Sequence, residues 1–254
     1  MKISKKPKSP RLLFYDIETS HNIVATFNLF EHGPINHQAI LQERFIICAS
    51  WKWSDESKVH SVSILDGKEG IPGDRVVVQA LHKVLSEADA IVGHYADNFD
   101  IKFFNTRALA NGLQPIHDVI QIDTYKIAKR KFKFNSNRLD YIAKFLGFEG
   151  KKHLGLDCWL SCLSGDRSAI KQMLAYNRHD VVILEQIYRV LAPFVPSPIN
   201  HQLFNPNAAC PRCGGSDVMC RGWAFAKTRR YQRFQCKSCT GWFQSHKSEP
   251  LEVA

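Results

Sequence analysis

Four cysteines near the C-terminus place the strongest constraint on how this chain can fold. Cys210 and Cys213 form one Cys-x-x-Cys pair, Cys236 and Cys239 form a second, and 22 residues lie between the pairs. Four thiolates at this spacing fit a tetrahedral Zn²⁺ ion. A segment of roughly 40 residues with few aliphatic side chains needs such a cross-link to fold. We therefore predict one structural zinc ion held by these four cysteines, with a redox pair or free thiols as the alternatives.

Prolines mark a boundary between the cysteine-rich segment and the rest of the chain. Four prolines occur between Pro193 and Pro206, which is typical of a stiff linker. The sequence before them has the apolar content of a folded domain, whereas the first ten residues are basic and contain two prolines. The predicted organisation has five segments: a basic tail (1–10), an α/β domain (11–195), a Pro-rich linker (196–207), a zinc module (208–246) and a C-terminal tail (247–254).

The charge of the chain favours a polyanionic partner. The 254 residues include 34 Lys and Arg against 24 Asp and Glu, a formal charge of +10 that is typical of proteins that bind nucleic acid or an anionic membrane surface.

The apolar run after the basic N-terminus stops at Asp16, and no run of about 18 apolar residues occurs, so we predict neither a secretion signal nor a membrane span. The predicted location is the cytoplasm, where cysteines are thiols or metal ligands rather than disulfides. The four cysteines outside the pairs are predicted to pack in the interior: Cys48, Cys158, Cys162 and Cys220.

Two acidic residues interrupt an apolar strand near the N-terminus. In Leu12-Leu-Phe-Tyr-Asp-Ile-Glu, Asp16 and Glu18 are two positions apart, so both side chains leave the strand on the same face. Carboxylates this close repel each other, and a divalent cation between them removes the conflict. The sequence therefore indicates a metal-binding face on this strand, with exposure to solvent at a sheet edge as the alternative.

Two further motifs carry acids whose positions have ordinary structural explanations when taken singly. Asp100 follows the short strand Ala90-Ile-Val-Gly at the start of a predicted helix, where aspartate can act as an N-terminal cap. Tyr176 and Asp180 lie one turn apart on a late predicted helix, where the tyrosine can simply pack. Taken together with the two acids of the first strand, these motifs form a much stronger signal.

The order of predicted elements favours one fold class. Three strands are followed by a helix, a strand, a second helix, another strand and further helices. This order is typical of an α/β domain with a mixed sheet and helices on both faces.

The combination of motifs resembles the DEDD 3′-to-5′ exonuclease superfamily of the ribonuclease H-like fold. The shared pattern is Asp-x-Glu on a first strand, Phe-Asp after a later strand and Tyr-x-x-x-Asp on a late helix, and the tyrosine marks the DEDDy branch. The resemblance covers about Arg11 to Phe194 and is closest to stand-alone domains similar to the proofreading domains of family B DNA polymerases. It implies a ribonuclease H-like, mixed five-stranded sheet flanked by helices. The cysteine-rich module resembles a zinc ribbon.

This chain departs from the family pattern before the second motif. The related domains commonly have Asn shortly before Phe-Asp, often straight after Gly-His, but here Tyr95 follows Gly93-His94. The expected replacement for that asparagine is Asn98 or Asp97.

The resemblance implies a site that holds two Mg²⁺ or Mn²⁺ ions. Its ligands would be the four acids Asp16, Glu18, Asp100 and Asp180. Carboxylate oxygens suit these cations, and a pair of them serves the attacking and leaving oxygens of phosphodiester hydrolysis. The Tyr176 hydroxyl would orient the attacking water, because a phenol is a poor base at neutral pH. His179 is assigned no catalytic role, since the sister branch places its histidine at the position of Ala175.

Two basic segments with interleaved aromatic residues are the predicted nucleic-acid contacts. The residues of the first are Lys129, Arg130, Lys131 and Lys133, and those of the second, within the zinc ribbon, are Arg229, Arg230, Tyr231 and Arg233. Cations beside flat rings can bind phosphates while bases stack. The alternatives are a solvated face for the first segment and a small ribbon core for about half of the aromatic residues of the second.

The function predicted from the sequence is a metal-dependent 3′-to-5′ exonuclease with a zinc ribbon that helps to hold the nucleic acid. The expected partner is single-stranded nucleic acid or a 3′ end, with DNA favoured over RNA by analogy to proofreading domains, and replication or repair proteins are possible further partners. A structure-directed endonuclease with the same metal site is a second hypothesis. A non-catalytic nucleic-acid-binding protein that relies on the ribbon is a third.

Overall fold

A computed structural model describes residues 9–27, 30, 33–150, 154–196, 199–205, 207 and 209–251. The chain divides into two compact units, one formed by Arg11–Arg189 and the other by Ser9, Pro10 and the described residues from Val190 onward. The predicted basic tail lies, over residues 1–8, outside the described residues. The assignment of functional domains to 11–195 and 208–246 stays a prediction.

The first unit is built on a mixed five-stranded sheet. Its neighbouring strands follow the order β5-β4-β1-β6-β7. Strand β1 pairs antiparallel with β4 and parallel with β6, β4 pairs antiparallel with β5, and β6 pairs parallel with β7. The strands of this unit, including a separate two-stranded ribbon of β2 and β3, are β1 (Leu12–Thr19), β2 (Ile23–Val24), β3 (Ile40–Gln42), β4 (Ile46–Trp53), β5 (Val59–Ser63), β6 (Ala90–Gly93) and β7 (Ile120–Asp123).

Helices flank this sheet, as the element order predicts. They are α1 (Arg75–Glu87), α2 (Asp100–Ala110), α3 (Thr124–Lys131), α4 (Leu139–Phe145), α5 (Leu156–Leu163) and α6 (Arg167–Leu191). Helix α6 is capped by Asp166, whose Oδ1 accepts hydrogen bonds from the amides of Ser168 and Ala169 at 2.7 and 3.2 Å. No described helix is both long and apolar enough to cross a membrane.

The core explains why β1 lies at the centre of the sheet. Leu13, Phe14 and Tyr15 are at most 2% exposed, because a strand with neighbours on both sides and helices over it is buried on both faces. The sheet strands and the apolar stripe of α1 (Val77, Leu81, Leu85) form one continuous hydrophobic cluster.

A buried aspartate joins three elements of this core. Asp74, only 1% exposed, accepts two hydrogen bonds from Arg107 of α2 at 2.6 and 2.9 Å. Its carboxylate also accepts from the side chain of Asn111 and from the amide of Ile46, both at 3.0 Å. The pairing compensates the buried charge and fixes the far end of α2, the helix that begins with Asp100.

The second unit contains a three-stranded antiparallel sheet with the strand order β10-β9-β8. Its strands are β8 (Val218–Phe225), β9 (Arg229–Cys236) and β10 (Trp242–Pro250). Strand β10 runs four residues past 246, the predicted end of the ribbon, because Ser248, Glu249 and Pro250 continue the pairing with β9. The predicted linker contains one short 3₁₀ turn, His201–Leu203.

Candidate functional site

Three carboxylates meet at the surface of the central strand. Oxygen atoms of Asp16, Glu18 and Asp180 all lie within 4.8 Å of one another. Asp16 and Glu18 are half-buried, whereas Asp180 is 1% exposed. Three negative groups at this spacing repel strongly in a buried setting unless a cation compensates them. The all-oxygen donor set fits a hard divalent cation such as Mg²⁺ or Mn²⁺.

The cluster forms because α6 packs on the face of β1 that carries the two acids. Alternation along β1 places Phe14, Asp16 and Glu18 on one face, and the Phe14 ring meets Tyr188 of α6 at 5.3 Å between centroids. The buried stripe of α6 continues toward its N-terminus through Leu184 to Asp180. The helix therefore brings its aspartate, in place of an apolar side chain, onto the acidic part of the strand.

Asn177 is a member of this site that the sequence analysis does not identify. Its side chain is 0% exposed, and its Nδ2 donates a hydrogen bond to Oδ2 of Asp16 at 2.7 Å. An ionised carboxylate only accepts hydrogen bonds, which fixes the orientation of the amide. The available signal is a spacing of three residues between Asn177 and Asp180, which puts both on one helix face.

Asp100 lies near the cluster but is not one of its three members. It is the first residue of α2 and is 6% exposed. Burial raises the pKa of the Tyr15 hydroxyl, and the charges of Asp100, Asp97 and Asp16 raise it further. The structure therefore groups three of the four predicted acids tightly and places the fourth at an adjacent helix start.

The loop before Asp100 is held by Asp123 at the end of β7. The Asp123 carboxylate accepts hydrogen bonds from the amides of Tyr95 and Tyr125, both at 2.9 Å, and from the amide of Asp97 at 3.3 Å. Tyr95 has a φ of 68°, in the left-handed region that a tyrosine rarely adopts. At Gly93 a Cβ would lie 2.3 Å from the Cβ of Ala96, so only glycine allows this close turn.

The two candidates for the missing family asparagine are placed differently. The Asp97 carboxylate is 2.6 Å from Nζ of Lys126, which compensates its charge. Asn98 is exposed. The exposed ring of Tyr95 packs edge-on against Tyr125, with 5.0 Å between the ring centroids.

Tyr176 and His179 lie on α6 beside the cluster. Tyr176 is half-buried and stands one turn before Asp180 on the same side of the helix. His179 is also half-buried, and its Nε2 donates to the carbonyl oxygen of Gly150 at 3.2 Å. This contact gives His179 a structural partner.

The four paired cysteines converge as the spacing predicts. Their sulfur atoms all lie within 4.8 Å of one another, with 3.8 Å between Cys210 and Cys239 and 3.7 Å between Cys213 and Cys236. Tetrahedral Zn²⁺ with Zn–S bonds of about 2.3 Å requires S···S separations of about 3.8 Å, so the cluster fits zinc. Burial raises the pKa of the Cys236 thiol, but backbone N–H groups and neighbouring thiols outweigh this effect and lower it to about 7, whereas burial raises the pKa of the Cys213 thiol to about 12. The fit to zinc therefore rests on the positions of the four sulfur atoms.

The other cysteines separate into two groups. Cys48 and Cys162 are 0% exposed in the core, and Cys158 packs against it, in agreement with the predicted packing role. Cys220 is exposed on β8, so the prediction that it packs in the interior is wrong. A bulge between Cys220 and Trp223 disturbs the strand pairing there, and the Cys220 sulfur accepts a hydrogen bond from Gln232.

The first basic segment presents its charges to solvent. Lys129, Arg130 and Lys131 form the last turn of α3, and all three are exposed, as is Lys133. Cations at a helix C-terminus are stabilised by the helix dipole, which is a structural reason for their position. The interleaved Phe132 and Phe134 stack on each other, with 5.4 Å between centroids.

The second basic segment divides between two faces of the ribbon sheet. Arg229, Tyr231 and Arg233 share one face of β9, because side chains alternate along a strand. Arg230 points to the other face, where its guanidinium lies 2.8 Å from the carboxylate of Glu249. The structure therefore does not bring the four predicted residues onto one surface.

A mixed sheet whose central strand carries an acidic, metal-compatible cluster defines a ribonuclease H-like protein. The chain belongs to the RNase_H superfamily, whose family model matches residues 13–192. Membership of this superfamily supports nuclease activity, and the predicted ribonuclease H-like fold is confirmed.

A solved structure that this chain resembles is the family B DNA polymerase from the hyperthermophilic archaeon Pyrobaculum calidifontis. The TM-score is 0.55 at 19% sequence identity, and the match covers 80% of this chain but only 26% of the polymerase chain. At 19% sequence identity, the structural similarity to this polymerase shows a shared fold and carries no conclusion about function. No curated protein matches the chain in sequence.

Proposed function

We propose that this protein is a metal-dependent 3′-to-5′ exonuclease that hydrolyses phosphodiester bonds of nucleic acid. The observation that carries the proposal is the convergence of Asp16, Glu18 and Asp180 within 4.8 Å, from a strand and a helix far apart in sequence. Like charges gathered at this spacing cost stability, and such clusters mark sites where a cation or substrate supplies the compensation. Superfamily membership supports phosphodiester hydrolysis as the reaction class.

The proposed metal ligands are Asp16, Glu18, Asp100 and Asp180. When bound, two Mg²⁺ or Mn²⁺ ions supply the positive charge that the attacking and leaving oxygens need. Asp16, Glu18 and Asp180 would hold these cations at β1, and Asp100, the first residue of α2, would add a fourth carboxylate ligand. The fixed loop from Gly93 to Phe99 supports the position of Asp100 through Asp123.

The proposed role of Tyr176 is to position the attacking water. Its half-buried ring limits the motion of the hydroxyl, and it stands one turn from Asp180 on α6. Asn177 holds the carboxylate of Asp16 in one orientation through its hydrogen bond. The polarity of cleavage and the preference for DNA rest on the resemblance to family B polymerase proofreading domains.

The test is cleavage of a linear single-stranded DNA labelled at its 5′ end, beside the same sequence as RNA and as a circular DNA. With Mg²⁺ or Mn²⁺ we expect a ladder that shortens from the 3′ end of the linear strand and no cut in the circle. Cutting of the circle would contradict a strict exonuclease and favour the endonuclease hypothesis. The DNA and RNA rates compare the two sugars directly.

Two aspartate variants control this experiment. Asp16→Asn keeps the shape of a ligand but removes its charge, and we expect it to abolish cleavage while nucleic-acid binding remains. Asp118→Asn removes a carboxylate that is 93% exposed in the same unit and should cleave at the rate of the unchanged protein. Binding of nucleic acid with no cleavage by the unchanged protein would favour the non-catalytic hypothesis.

A further inference from the structure

The three-stranded zinc ribbon has two chemically different faces. Residues that pair directly across an antiparallel sheet share a face, so the strand register assigns each side chain. One face, here called the Arg233 face, consists of Arg221, Arg229, Tyr231, Arg233 and Trp242. The opposite face, here called the Arg230 face, consists of Trp223, Arg230, Phe234, Phe243 and Glu249.

The Arg230 face is neutralised and partly covered. Arg230 forms an ion pair with Glu249 at 2.8 Å. Phe234 and Phe243 stack at 5.4 Å, which makes them the small core of the ribbon. The preceding segment lies against the same side, where His246 and Gln202 are 3.2 Å apart. Arg230, Phe234 and Phe243 therefore have partners within the unit.

The Arg233 face carries three arginines whose partners are neutral. Arg229 donates to the hydroxyl and carbonyl of Ser248, and Arg221 donates to the side-chain oxygen of Gln235 at 3.2 Å. Within the described part of the ribbon, no carboxylate pairs with Arg221, Arg229 or Arg233. The positive charge of this face is therefore uncompensated, and a polyanion is its complementary partner.

Trp242 of the same face has room for a base, and the second ring, Tyr231, is half-buried. Trp242 is 43% exposed, and the guanidinium of Arg233 covers one side of its ring at 4.2 Å from the centroid. The stacked guanidinium is held in place while its N–H groups can bind a phosphate. The spacing of Arg229, Tyr231 and Arg233 along one strand is about 6.8 Å per step, so the charges extend over roughly 14 Å. This length and alternation suit a few nucleotides of extended chain.

We propose that the Arg233 face binds single-stranded nucleic acid, with phosphates on the arginines and unpaired bases stacked on Trp242 and Tyr231. The choice of nucleic acid as the polyanion rests on the proposed function. The inference adds the face that binds, the preference for a single strand and the residues that make the contacts. The exposed ring of Trp242 favours a single strand because the bases of a duplex are already stacked and offer only their backbone to a flat sheet.

The strand offers a matched pair of variants for the test. Arg230 and Arg233 lie on the same strand, and each covers a tryptophan ring, at 4.3 and 4.2 Å. Arg233→Gln and Arg230→Gln therefore remove the same charge and the same type of stacking contact from opposite faces, and Arg230→Gln also breaks the ion pair with Glu249. A third variant, Trp242→Ala, removes the exposed ring alone.

The experiment measures affinity of the full chain for a fluorescent oligothymidine by anisotropy, in the Asp16→Asn background so that the probe stays intact. We expect Arg233→Gln and Trp242→Ala to weaken binding at least about fivefold, since stacking and phosphate contacts are each of this size. Arg230→Gln should change it less than twofold, and a duplex probe should lose little affinity with Trp242→Ala. Zinc content and thermal unfolding verify that each variant keeps its ribbon.

Three outcomes would overturn the proposal. Equal weakening by Arg230→Gln and Arg233→Gln would show that only net charge matters. Unchanged binding by both Arg233→Gln and Trp242→Ala would place the contact elsewhere, and tighter binding of the duplex would contradict single-strand recognition. Cleavage is measured separately, in the protein that retains Asp16. The binding result therefore stands even if no cleavage is found, and the cleavage result stands even if the binding prediction fails.

Discussion

The side chain of Asn177 donates a hydrogen bond to the carboxylate of Asp16 at 2.7 Å from a fully buried position. The bond links helix α6 to strand β1 at the acidic cluster, across 161 positions of sequence. A donor at this place restricts the rotation of the Asp16 carboxylate. The neutral side chain of Asn177 therefore helps to hold the acidic cluster in position.

Replacement of Asn177 should therefore weaken metal binding more than it weakens the fold. We expect Asn177→Leu, which has a similar size but no donor, to reduce Mn²⁺ affinity about tenfold or more. Electron paramagnetic resonance of free Mn²⁺ measures that affinity without reference to cleavage. A lower unfolding temperature with unchanged Mn²⁺ affinity would limit Asn177 to a packing role.

The hydroxyl of Tyr176 should matter for the rate but not for substrate binding. We expect Tyr176→Phe to lower kcat by about ten- to a hundredfold, because a misplaced water reacts slowly, and to leave the affinity for single-stranded DNA unchanged. Tyr188→Phe is the matched control, since Tyr188 lies on the same helix and packs against Phe14. Equal rates for Tyr176→Phe and Tyr188→Phe would contradict the proposed role.

Removal of one paired cysteine should release zinc and unfold only the ribbon. Cys236→Ser replaces a sulfur that lies 3.7 Å from Cys213 in the four-cysteine cluster. We expect elemental analysis to fall from one zinc per chain to none, with weaker nucleic-acid binding and unchanged hydrogen-exchange protection of the amides of β1 and β4 in the core. Cys220→Ser, outside the cluster, should retain zinc. Full zinc occupancy in Cys236→Ser would show that the cluster is misassigned.

Acid should remove the contribution of one buried ion pair between α6 and β4. Burial raises the pKa of Glu185, but hydrogen bonds from Lys52 and Arg189 outweigh it and lower the pKa below its ordinary value of 4.5. A carboxyl whose folded pKa is depressed stabilises the protein above its unfolded pKa, and this stabilisation is lost as the pH falls through the folded value.

The corresponding measurement compares urea unfolding of the unchanged protein and Glu185→Gln. At pH 7 we expect the variant to lose about 1.5 to 3 kcal/mol, the size of hydrogen bonds to a charged group. The difference should begin to shrink as the pH falls below about 4.5, where the glutamate of the unfolded chain becomes protonated, and should vanish only below the lower pKa of the folded protein. A difference that stays constant down to pH 3 would assign the loss to packing instead.

Local features of this protein are easier to predict from its sequence than contacts between elements that are distant in the chain. Period-2 alternation was enough to place Asp16 and Glu18 on one face, and the cysteine spacing was enough to predict the four-sulfur cluster. The approach of Asp180 depends on how α6 packs across β1, which no local pattern encodes, so only the family resemblance pointed to it. Asn177 was missed because asparagine in a helix usually faces solvent.

In the ribbon, by contrast, a local rule is enough to separate the predicted contact residues. Arg230 and Arg233 differ by an odd number of positions on one strand, which places them on opposite faces. Cys220 was expected inside because of its residue type, but the bulge before Trp223 leaves it exposed. The direction of cleavage and the preferred sugar depend on substrate contacts, which the fold does not determine.

The most direct test of the account compares cleavage of 5′-labelled single-stranded DNA by Asp180→Asn and by Asp118→Asn across a Mn²⁺ titration. Asp180 is the residue through which α6 completes the cluster on β1, whereas Asp118 is an exposed acid of the same unit. We predict no detectable cleavage by Asp180→Asn at any Mn²⁺ concentration and an unchanged, metal-dependent 3′-to-5′ ladder from Asp118→Asn. Normal cleavage by Asp180→Asn would contradict the claim that the three clustered carboxylates form the nuclease centre.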